Sequence, residues 1–328
     1  MRDLLSLRET SVEDIRRILE TAANLKEILS RSVKKVPTLR GRSMVTLFYE
    51  SSTRTRTSFE LAAKIMSAEA VNIAVAQSSV TKGESLKDTL RTLQSLTCDC
   101  IVIRHASSGA AHLAAQFADV PVINAGDGRH EHPTQGLLDI LTIWEHKVVG
   151  RVDDTYPGEL SSHPFDLSHL TVAIVGDLAH SRVARSNVWG LTKLGARVRW
   201  VGPRTLLPAH AGRLPVTVHT DLREALEGAD VVMVLRLQLE RQEKGLLPSI
   251  REYARQWGIS PRTLSWAKPD VLVMHPGPMN RGVEISAEVA DGAGGIRAGI
   301  ENQVTNGVAV RMACLYLLMG SGVAPSFD

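Results

Sequence analysis

Apolar and polar positions follow two alternating spacings along most of the chain. Residues 11–29 place apolar side chains three or four positions apart, which is the spacing of one face of a helix. The next apolar run, residues 44–49, is short and uninterrupted like a strand, and a second helical pattern covers residues 59–66. Because strand and helix patterns keep alternating, we predict an α/β fold with largely parallel sheets.

The rest of the first half contains further predicted elements of both kinds. Ser85-Leu86-Lys87-Asp88 has the form of a capping box, which predicts the start of a helix that carries Leu90, Leu93 and Leu96. Pro133 suits the first turn of another helix, which we expect to reach residue 146. The other predicted elements are a strand at 101–105, a helix at 110–117 and a strand at 120–125.

Periodicity is lost between residues 150 and 169, where prolines, acidic residues and hydroxyl residues predict a linker. Beyond it the alternation resumes, with strands predicted at 171–175, 198–201, 231–235 and 271–274, helices at 183–193 and 222–226, and a long apolar helix from about residue 304. We therefore predict two domains, residues 1–148 and 149–301, each a mainly parallel sheet flanked by helices.

Composition agrees with this organisation and argues against several classes of protein. A chain of 328 residues is long for one hydrophobic core, and a formal net charge of +3 does not indicate a nucleic-acid-binding protein. We expect no signal peptide and no membrane helix, since no segment approaches roughly 20 uninterrupted apolar residues. Cys98, Cys100 and Cys314 lack a zinc-binding spacing and favour a reducing compartment, so we predict a cytoplasmic protein.

The loops that follow the predicted strands are rich in arginine. Ligands of open α/β sheets bind beyond the carboxyl ends of the strands, where these loops lie. Five of the six loops contain arginine, and the six are residues 52–56, 104–105, 126–133, 176–182, 236–238 and 275–278. Guanidinium groups pair with phosphate and carboxylate oxygens two at a time, so this bias predicts an anionic ligand.

The segment Ser52-Thr53-Arg54-Thr55-Arg56 is the sharpest of these signals. It follows a predicted strand, so its hydroxyl side chains and an arginine fall in the first turn of the next helix. Free backbone N–H groups and the positive end of a helix bind anions, and the hydroxyls add further donors. The alternative is that Ser52 is an ordinary N-cap and both arginines lie in water. The density of donors favours an anion site.

This segment resembles the carbamoyl-phosphate motif of aspartate and ornithine carbamoyltransferases. The resemblance covers nearly the whole chain in order and spacing, through Lys82-Gly83-Glu84, Arg104-His105, His132-Pro133-Thr134-Gln135, Gly176-Asp177-Leu178, Arg236-Leu237-Gln238 and His275-Pro276-Gly277-Pro278. It implies a two-domain α/β fold with a Rossmann-like second domain, and a C-terminal helix, residues 302–328, that packs back on the first. It also implies an enzyme of pyrimidine biosynthesis that carbamoylates L-aspartate.

The resemblance further implies a role for each matching residue. Carbamoyl phosphate would contact Ser52, Thr53, Arg54, Thr55, Ser78, Lys82, Arg104, His132, Gln135, Gly277 and Pro278, and aspartate would contact Lys82, Arg182, Arg236 and Gln238. Arg54 would neutralise charge on the leaving phosphate, and Thr55, Arg104 and His132 would stabilise an oxyanion. Lys82 completes the expected catalytic set. Positioning and electrostatics would supply most of the catalysis, so no cofactor and no metal is expected.

Ser78 and Lys82 depend on the resemblance alone. They lie in a polar segment, residues 77–82, which by itself is typical of a solvated turn. In the family this loop enters the active site of a neighbouring subunit, which implies a homotrimer with shared sites. Some bacterial members with the segment HPGPMNRG, as at 275–282, pair with dihydroorotase, so dihydroorotase and regulatory chains are candidate partners. No nucleic acid or membrane partner is expected.

Ornithine is the alternative amino-acid substrate. The relatives that use it carry a cysteine in an HCLP motif and an acidic loop that contains Ser-Met-Gly, where this chain has His275-Pro276-Gly277-Pro278 and Arg236-Leu237-Gln238. Arg236 would repel the ammonium group of ornithine and attract the side-chain carboxylate of aspartate. We therefore predict aspartate as the substrate.

Three other interpretations agree less well with the residues. A dinucleotide-binding dehydrogenase would need G-x-G-x-x-G, which does not follow Gly176. A metal site at His130-Glu131-His132 lacks a third ligand at suitable spacing. A catalytically dead scaffold would have lost arginines from this set. One departure is Gly277, where many members have leucine; we expect glycine to keep the backbone contact while loosening the loop.

Overall fold

The computed structural model describes residues 1–74, 84–150, 163–238 and 245–320, which form two compact units. The first unit comprises residues 1–137 together with the chain from Thr305, and the second comprises Leu138–Val304. The domain boundary that we placed after residue 148 stays a prediction. Much of the linker that suggested it, residues 151–162, lies outside the described residues.

The first unit is built on one sheet of four parallel strands. The strands are β1 Ser43–Phe48, β2 Glu69–Ala74, β3 Cys100–His105 and β4 Val122–Asp127. The helices that lie within this unit are α1 Val12–Lys26, α2 Thr53–Ile65, α3 Leu86–Ser95 and α4 Ala110–Phe117. The order in the sheet is β2-β1-β3-β4, so β1, β3 and β4 are successive neighbours.

Burial explains which strands of this sheet could be predicted. Every residue of β4 is buried, as is all of β1 after Ser43, and such strands are rich in apolar residues. Edge strand β2 was not predicted, because Glu69, Val71 and Asn72 are exposed and its apolar positions form no continuous run. Strand β4 begins at Val122, two residues later than predicted.

The second unit contains a sheet of six parallel strands. They are β5 Thr171–Val175, β6 Arg197–Val201, β7 Thr217–His219, β8 Val231–Val234, β9 Leu272–Met274 and β10 Arg297–Ala298. Its helices are α6 Arg182–Lys193, α7 Leu222–Leu226, α8 Ile250–Trp257, α9 Pro261–Leu264 and α10 Ala287–Ala290. The order is β10-β9-β8-β5-β6-β7, so the chain first extends the sheet on one side of β5 and then returns to extend it on the other. The prediction of a Rossmann-like sheet is confirmed.

Two longer helices, α5 Pro133–Lys147 and α11 Ile300–Met319, each contain residues of both units. Within the first unit, the guanidinium group of Arg311 on α11 donates to the hydroxyl of Ser58 at 2.8 Å and lies 5.1 Å from the ring centre of Phe59. Both partners belong to α2, so the predicted packing of a C-terminal helix on the first domain is confirmed, while residues 321–328 of the predicted range 302–328 lie outside the described residues. Among the described helices, none combines the length and apolarity that a membrane span requires.

Candidate active site

The site residues predicted in the first unit lie where its neighbouring strands end. Ser52 comes four residues after β1, Arg104 lies near the end of β3, and His132 ends the loop that follows β4. In the sheet, Phe48 of β1 is opposite Arg104, and β3 pairs directly with β4. Three of the predicted loops therefore leave the same edge of one sheet, which is where parallel α/β sheets bind ligands.

The start of α2 does not behave like an ordinary capped helix. Ser52 is the N-cap residue, but its hydroxyl makes no capping hydrogen bond. In six other described helices the N-cap serine does accept a hydrogen bond from a first-turn amide, and these serines are Ser11, Ser85, Ser181, Ser249, Ser260 and Ser286. The Ser52 hydroxyl and the first-turn amides of α2 therefore keep the donors that an anion needs, which favours the anion site over the plain N-cap.

Arg104 is held by strand β4 on one side and by the loop after β1 on the other. Its Nη1 donates to the carbonyl of Ala125 at 3.1 Å, and its Nε lies 3.4 Å from Oε2 of Glu50. Only 13% of the side chain is exposed, so its position is fixed by packing as well as by hydrogen bonds. Sequence reasoning missed Glu50. The available signal was an acidic residue two positions before a loop predicted to bind anions, because such a residue needs a cationic partner of its own.

Asp127 fixes the loop that leads to His132. Its carboxylate accepts hydrogen bonds from Asn124 Nδ2 at 2.8 Å, from the amide of Gly109 at 2.6 Å and from the amide of Glu131 at 3.2 Å. Burial raises the pKa of Asp127, but hydrogen bonds from His130 and Asn124 outweigh it and leave the pKa below its ordinary value. Asp127 is therefore a charged acceptor around which the loop folds.

Glu131 fastens the same loop to the N-terminal segment. Its carboxylate accepts from the amides of Leu7 at 2.8 Å and Arg8 at 3.3 Å. The next residue, His132, is buried, and its carbonyl accepts from the amide of Gln135 at 2.9 Å in the first turn of α5. His132 and Gln135 are thus brought to one helix start, while Glu131 is committed to backbone amides. That commitment argues against a chelate at residues 130–132.

One cluster in the described part of the chain approaches the spacing of a metal site. Ligand atoms of His112, Asp127 and His130 lie within 4.8 Å of one another. Two ligands of one zinc ion lie at most about 4.2 Å apart, because each bond is about 2.1 Å long. The limit of 4.8 Å in this cluster is slightly wider than that. Both imidazoles already pair with carboxylates, His112 with Glu9 at 2.9 Å and His130 with Asp127 at 3.1 Å, and the latter bond raises the pKa of His130. These pairings favour a hydrogen-bonded cluster.

The second unit places its three predicted aspartate ligands on either side of the point where strand order reverses. Arg182 is the first residue of α6, after β5, and is buried. Arg236 and Gln238 follow β8, which is the neighbour of β5 in the sheet. Such a switch point is the usual ligand site of a doubly wound sheet. The two arginines are therefore placed where a dicarboxylate could be bound.

Gly277 and Pro278 follow β9, the next strand in that sheet. Gly277 has a φ of 64°, in the left-handed region that favours glycine, and the Gly277–Pro278 peptide is cis. The amide of Gly277 donates to Nδ1 of His275 at 2.8 Å, so the loop is fastened at this residue. Ser78 and Lys82 lie outside the described residues, and their roles stay predictions.

Comparison with known proteins gives a consistent result. The sequence model of the carbamoyl-P binding domain of aspartate/ornithine carbamoyltransferases matches residues 2–145, and that of the Asp/Orn binding domain matches residues 168–318. The chain is 61% identical to the aspartate carbamoyltransferase catalytic subunit of Heliobacterium modesticaldum and 57% identical to that of Moorella thermoacetica. These alignments cover 97% of this chain and 96% and 97% of the two relatives.

Two solved structures show the same fold. Aspartate transcarbamoylase from Trypanosoma cruzi, in complex with N-(phosphonacetyl)-L-aspartic acid, is 32% identical with a TM-score of 0.81, over 97% of this chain and 96% of that one. Ornithine carbamoyltransferase from Pyrococcus furiosus is 29% identical with a TM-score of 0.82, over 98% of each chain. The fold is therefore common to enzymes with different amino-acid substrates, and the choice between them depends on the sequence of the site.

Proposed function

This chain belongs to the aspartate/ornithine carbamoyltransferase family, and we propose that it transfers the carbamoyl group of carbamoyl phosphate to L-aspartate in pyrimidine biosynthesis. The products are N-carbamoyl-L-aspartate and phosphate. The observation that carries this proposal is the placement of arginines at strand ends in both units, with Arg54 and Arg104 in the first and Arg182 and Arg236 in the second. Two anionic substrates would need such a set.

The first unit would bind carbamoyl phosphate. Ser52, Thr53 and the amides at the start of α2 offer neutral donors to the phosphate, and Arg54 offers a charged one. Arg104, with its side chain fixed between β4 and the loop after β1, and the buried His132 would donate to the carbonyl oxygen, together with Thr55. Donors fixed before the reaction stabilise the developing oxyanion without reorganising. Gln135 would bind the carbamoyl amide.

The second unit would bind aspartate. Arg182 and Arg236 would each pair with one carboxylate, with Gln238 beside them, so that the amine faces the carbonyl carbon. The amine attacks that carbon and forms the new C–N bond. The C–O bond to phosphate then breaks, and the leaving phosphate takes the amine proton while Arg54 compensates its charge. The chain's own contribution is thus positioning and charge compensation.

The substrate choice is tested by a carbamoyl-transfer assay that offers aspartate and ornithine side by side. We expect carbamoyl-aspartate to be the main product, because Arg236 attracts a carboxylate and repels an ammonium group. The assay should report kcat/KM for each acceptor at saturating carbamoyl phosphate. Preference for ornithine would overturn the substrate but not the fold.

We also propose that the active enzyme is a homotrimer in which Ser78 and Lys82 act in the site of a neighbouring subunit. The proposal is supported by family membership. We expect that mixing Lys82→Ala chains with Arg54→Ala chains restores activity, because a hybrid trimer contains sites in which both residues are intact. The control is each variant alone, carried through the same dissociation and reassembly. A verified mixed trimer with no activity above those controls would count against site sharing.

The compartment and further partners are proposals as well. We propose a cytoplasmic location, supported by three free cysteines that are all buried. Burial raises the pKa of Cys314 to about 12, so its thiol stays protonated and unreactive. Dihydroorotase and regulatory chains stay candidate partners, and co-purification with the full chain tests them.

A further inference from the structure

A buried polar network in the second unit contacts the loop after β9, and its side chains are not among the predicted substrate ligands. His275, Glu284 and Gln303 are each at most 3% exposed. The His275 imidazole accepts from the amide of Gly277 at 2.8 Å and lies 3.2 Å from Oε1 of Glu284. The His275 amide donates to Oε1 of Gln303 at 2.9 Å. The loop that carries Gly277 and Pro278 is therefore tied at its base to three buried side chains.

The hydrogen bonds define the state of the His275 ring. A backbone N–H can only donate, so Nδ1, which receives the Gly277 amide, must be an unprotonated acceptor. The ring proton then lies on Nε2, which donates to the Glu284 carboxylate. This arrangement fixes both the tautomer and the orientation of the imidazole.

Glu284 connects that ring to a second part of the loop. Its Oε1 also accepts from the backbone amide of Asn280. Its other oxygen, Oε2, is buried and has no hydrogen-bond partner among the described residues. A buried carboxylate oxygen without a partner is unfavourable for stability. A purely structural demand on this position would be met better by a neutral side chain, so the position of Glu284 favours a functional reason for it.

Asn280 carries the connection across to the loop after β8. Its Nδ2 donates to the carbonyl of Leu237 at 3.2 Å. Leu237 lies between Arg236 and Gln238, and its side chain packs in a cluster with Leu206 and Tyr253. The carbonyl of the residue between the two predicted aspartate ligands is thus bound by the loop that carries the predicted carbamoyl-phosphate contacts.

The same network extends to the helix that carries Arg182. Gln303 Nε2 donates to Oδ1 of Asp139 at 2.7 Å, and Oδ2 of Asp139 accepts from Nδ2 of Asn187 at 2.7 Å. Asn187 lies on α6, whose first residue is Arg182. All of these residues are buried and belong to the second unit. One continuous set of hydrogen bonds therefore reaches the loops or helices that follow β5, β8 and β9.

We propose that Asn280, Glu284 and His275 are positioning residues, which keep the Arg236–Gln238 loop aligned with the Gly277–Pro278 loop so that aspartate binds in the orientation for attack. This inference depends on the proposed function. None of the three needs to touch a substrate. They act through the Gly277 amide and the Leu237 carbonyl, which belong to the two loops themselves.

The test uses Asn280, because its side-chain bond to Leu237 can be removed while its backbone bond to Glu284 is kept. We expect Asn280→Ala to raise the KM for aspartate about five- to tenfold, the effect of one lost hydrogen bond, with less than about a twofold change in the KM for carbamoyl phosphate. Asn280→Asp has nearly the same volume but cannot donate to the carbonyl, so it should show the same selective defect. It serves as the test if the alanine variant folds poorly.

Arg281→Ala is the matched control. Arg281 is the next residue, is exposed, and pairs with Asp291 at 2.7 and 2.9 Å without contacting either loop by a described hydrogen bond. It should leave both KM values unchanged. An unchanged KM for aspartate in both Asn280 variants, an equal rise in both KM values, or the same defect in Arg281→Ala would each overturn the inference. Absence of aspartate carbamoylation by the unaltered chain would instead overturn the proposed function.

Discussion

Replacing Arg54 with alanine is expected to lower kcat by about a thousandfold while leaving the chain folded. Arg54 is an exposed residue in the first turn of α2, so its removal disturbs no buried packing. The loss is in the transition state, because charge grows on the departing phosphate as the C–O bond breaks. Loss of one donor at a developing charge lowers kcat by about 10²–10³, and a charged donor belongs at the upper end of that range.

Steady-state kinetics at saturating aspartate and carbamoyl phosphate measure this effect. The matched control is Arg56→Ala, two residues further along the same helix, where the exposed guanidinium lies 3.6 Å from Glu60. Such surface pairs contribute little, so Arg56→Ala should keep kcat within about twofold of the unaltered chain. Normal turnover in Arg54→Ala would remove Arg54 from the mechanism.

Replacing Arg236 with alanine is expected to raise the KM for aspartate about 10- to 100-fold, with little change in the KM for carbamoyl phosphate. A charge-assisted hydrogen bond to a carboxylate contributes about 1.5–3 kcal/mol, which corresponds to that range. Arg236 belongs to the second unit, whereas the predicted phosphate ligands Ser52–Thr55 belong to the first. The effect should therefore be confined to one substrate.

Initial rates with each substrate varied in turn give the two KM values. Arg223→Ala serves as the control, because Arg223 is exposed on α7 and its guanidinium lies 6.0 Å from the ring of Trp266. It should leave both KM values unchanged. Equal changes in the two KM values of Arg236→Ala would contradict the division of substrates between the units.

Buried strands and the helices next to them could be predicted from the sequence because burial leaves a local pattern. The strand predicted at 171–175 is β5 Thr171–Val175, all of which is buried, and the helix predicted at 110–117 is α4 Ala110–Phe117. Strands β7 and β10 have only three and two residues and are largely exposed, so their sequences carry no periodic signal. Such edge strands are identified only from their pairing with the neighbouring strand in the structure.

The positions of the arginines at strand ends could be predicted from the sequence, whereas the contacts of the acidic residues around the candidate site could not. Arginines stand out because strand ends can be located from local patterns, and ligands bind there. Glu131 binds the amide of Leu7, which is 124 positions away, and Glu284 binds His275 from the far side of a loop. The first pair is too far apart in sequence to leave a local spacing, and the second, nine positions apart across a loop, matches the period of neither a helix nor a strand. An acidic residue beside an arginine-rich loop, such as Glu50, nevertheless indicated that its carboxylate needs a cationic partner.

The most direct test of whether the arginines of both units serve one pair of substrates is a calorimetric titration with N-(phosphonacetyl)-L-aspartate. This compound joins a phosphonate to an aspartate, so one molecule carries both anionic ends of the reactant pair. We expect one molecule to bind per chain, with affinity reduced at least about tenfold in Arg54→Ala and, separately, in Arg236→Ala. If either variant binds the compound as tightly as the unaltered chain, the two arginines do not act on the same ligand, and the account of the active site is contradicted.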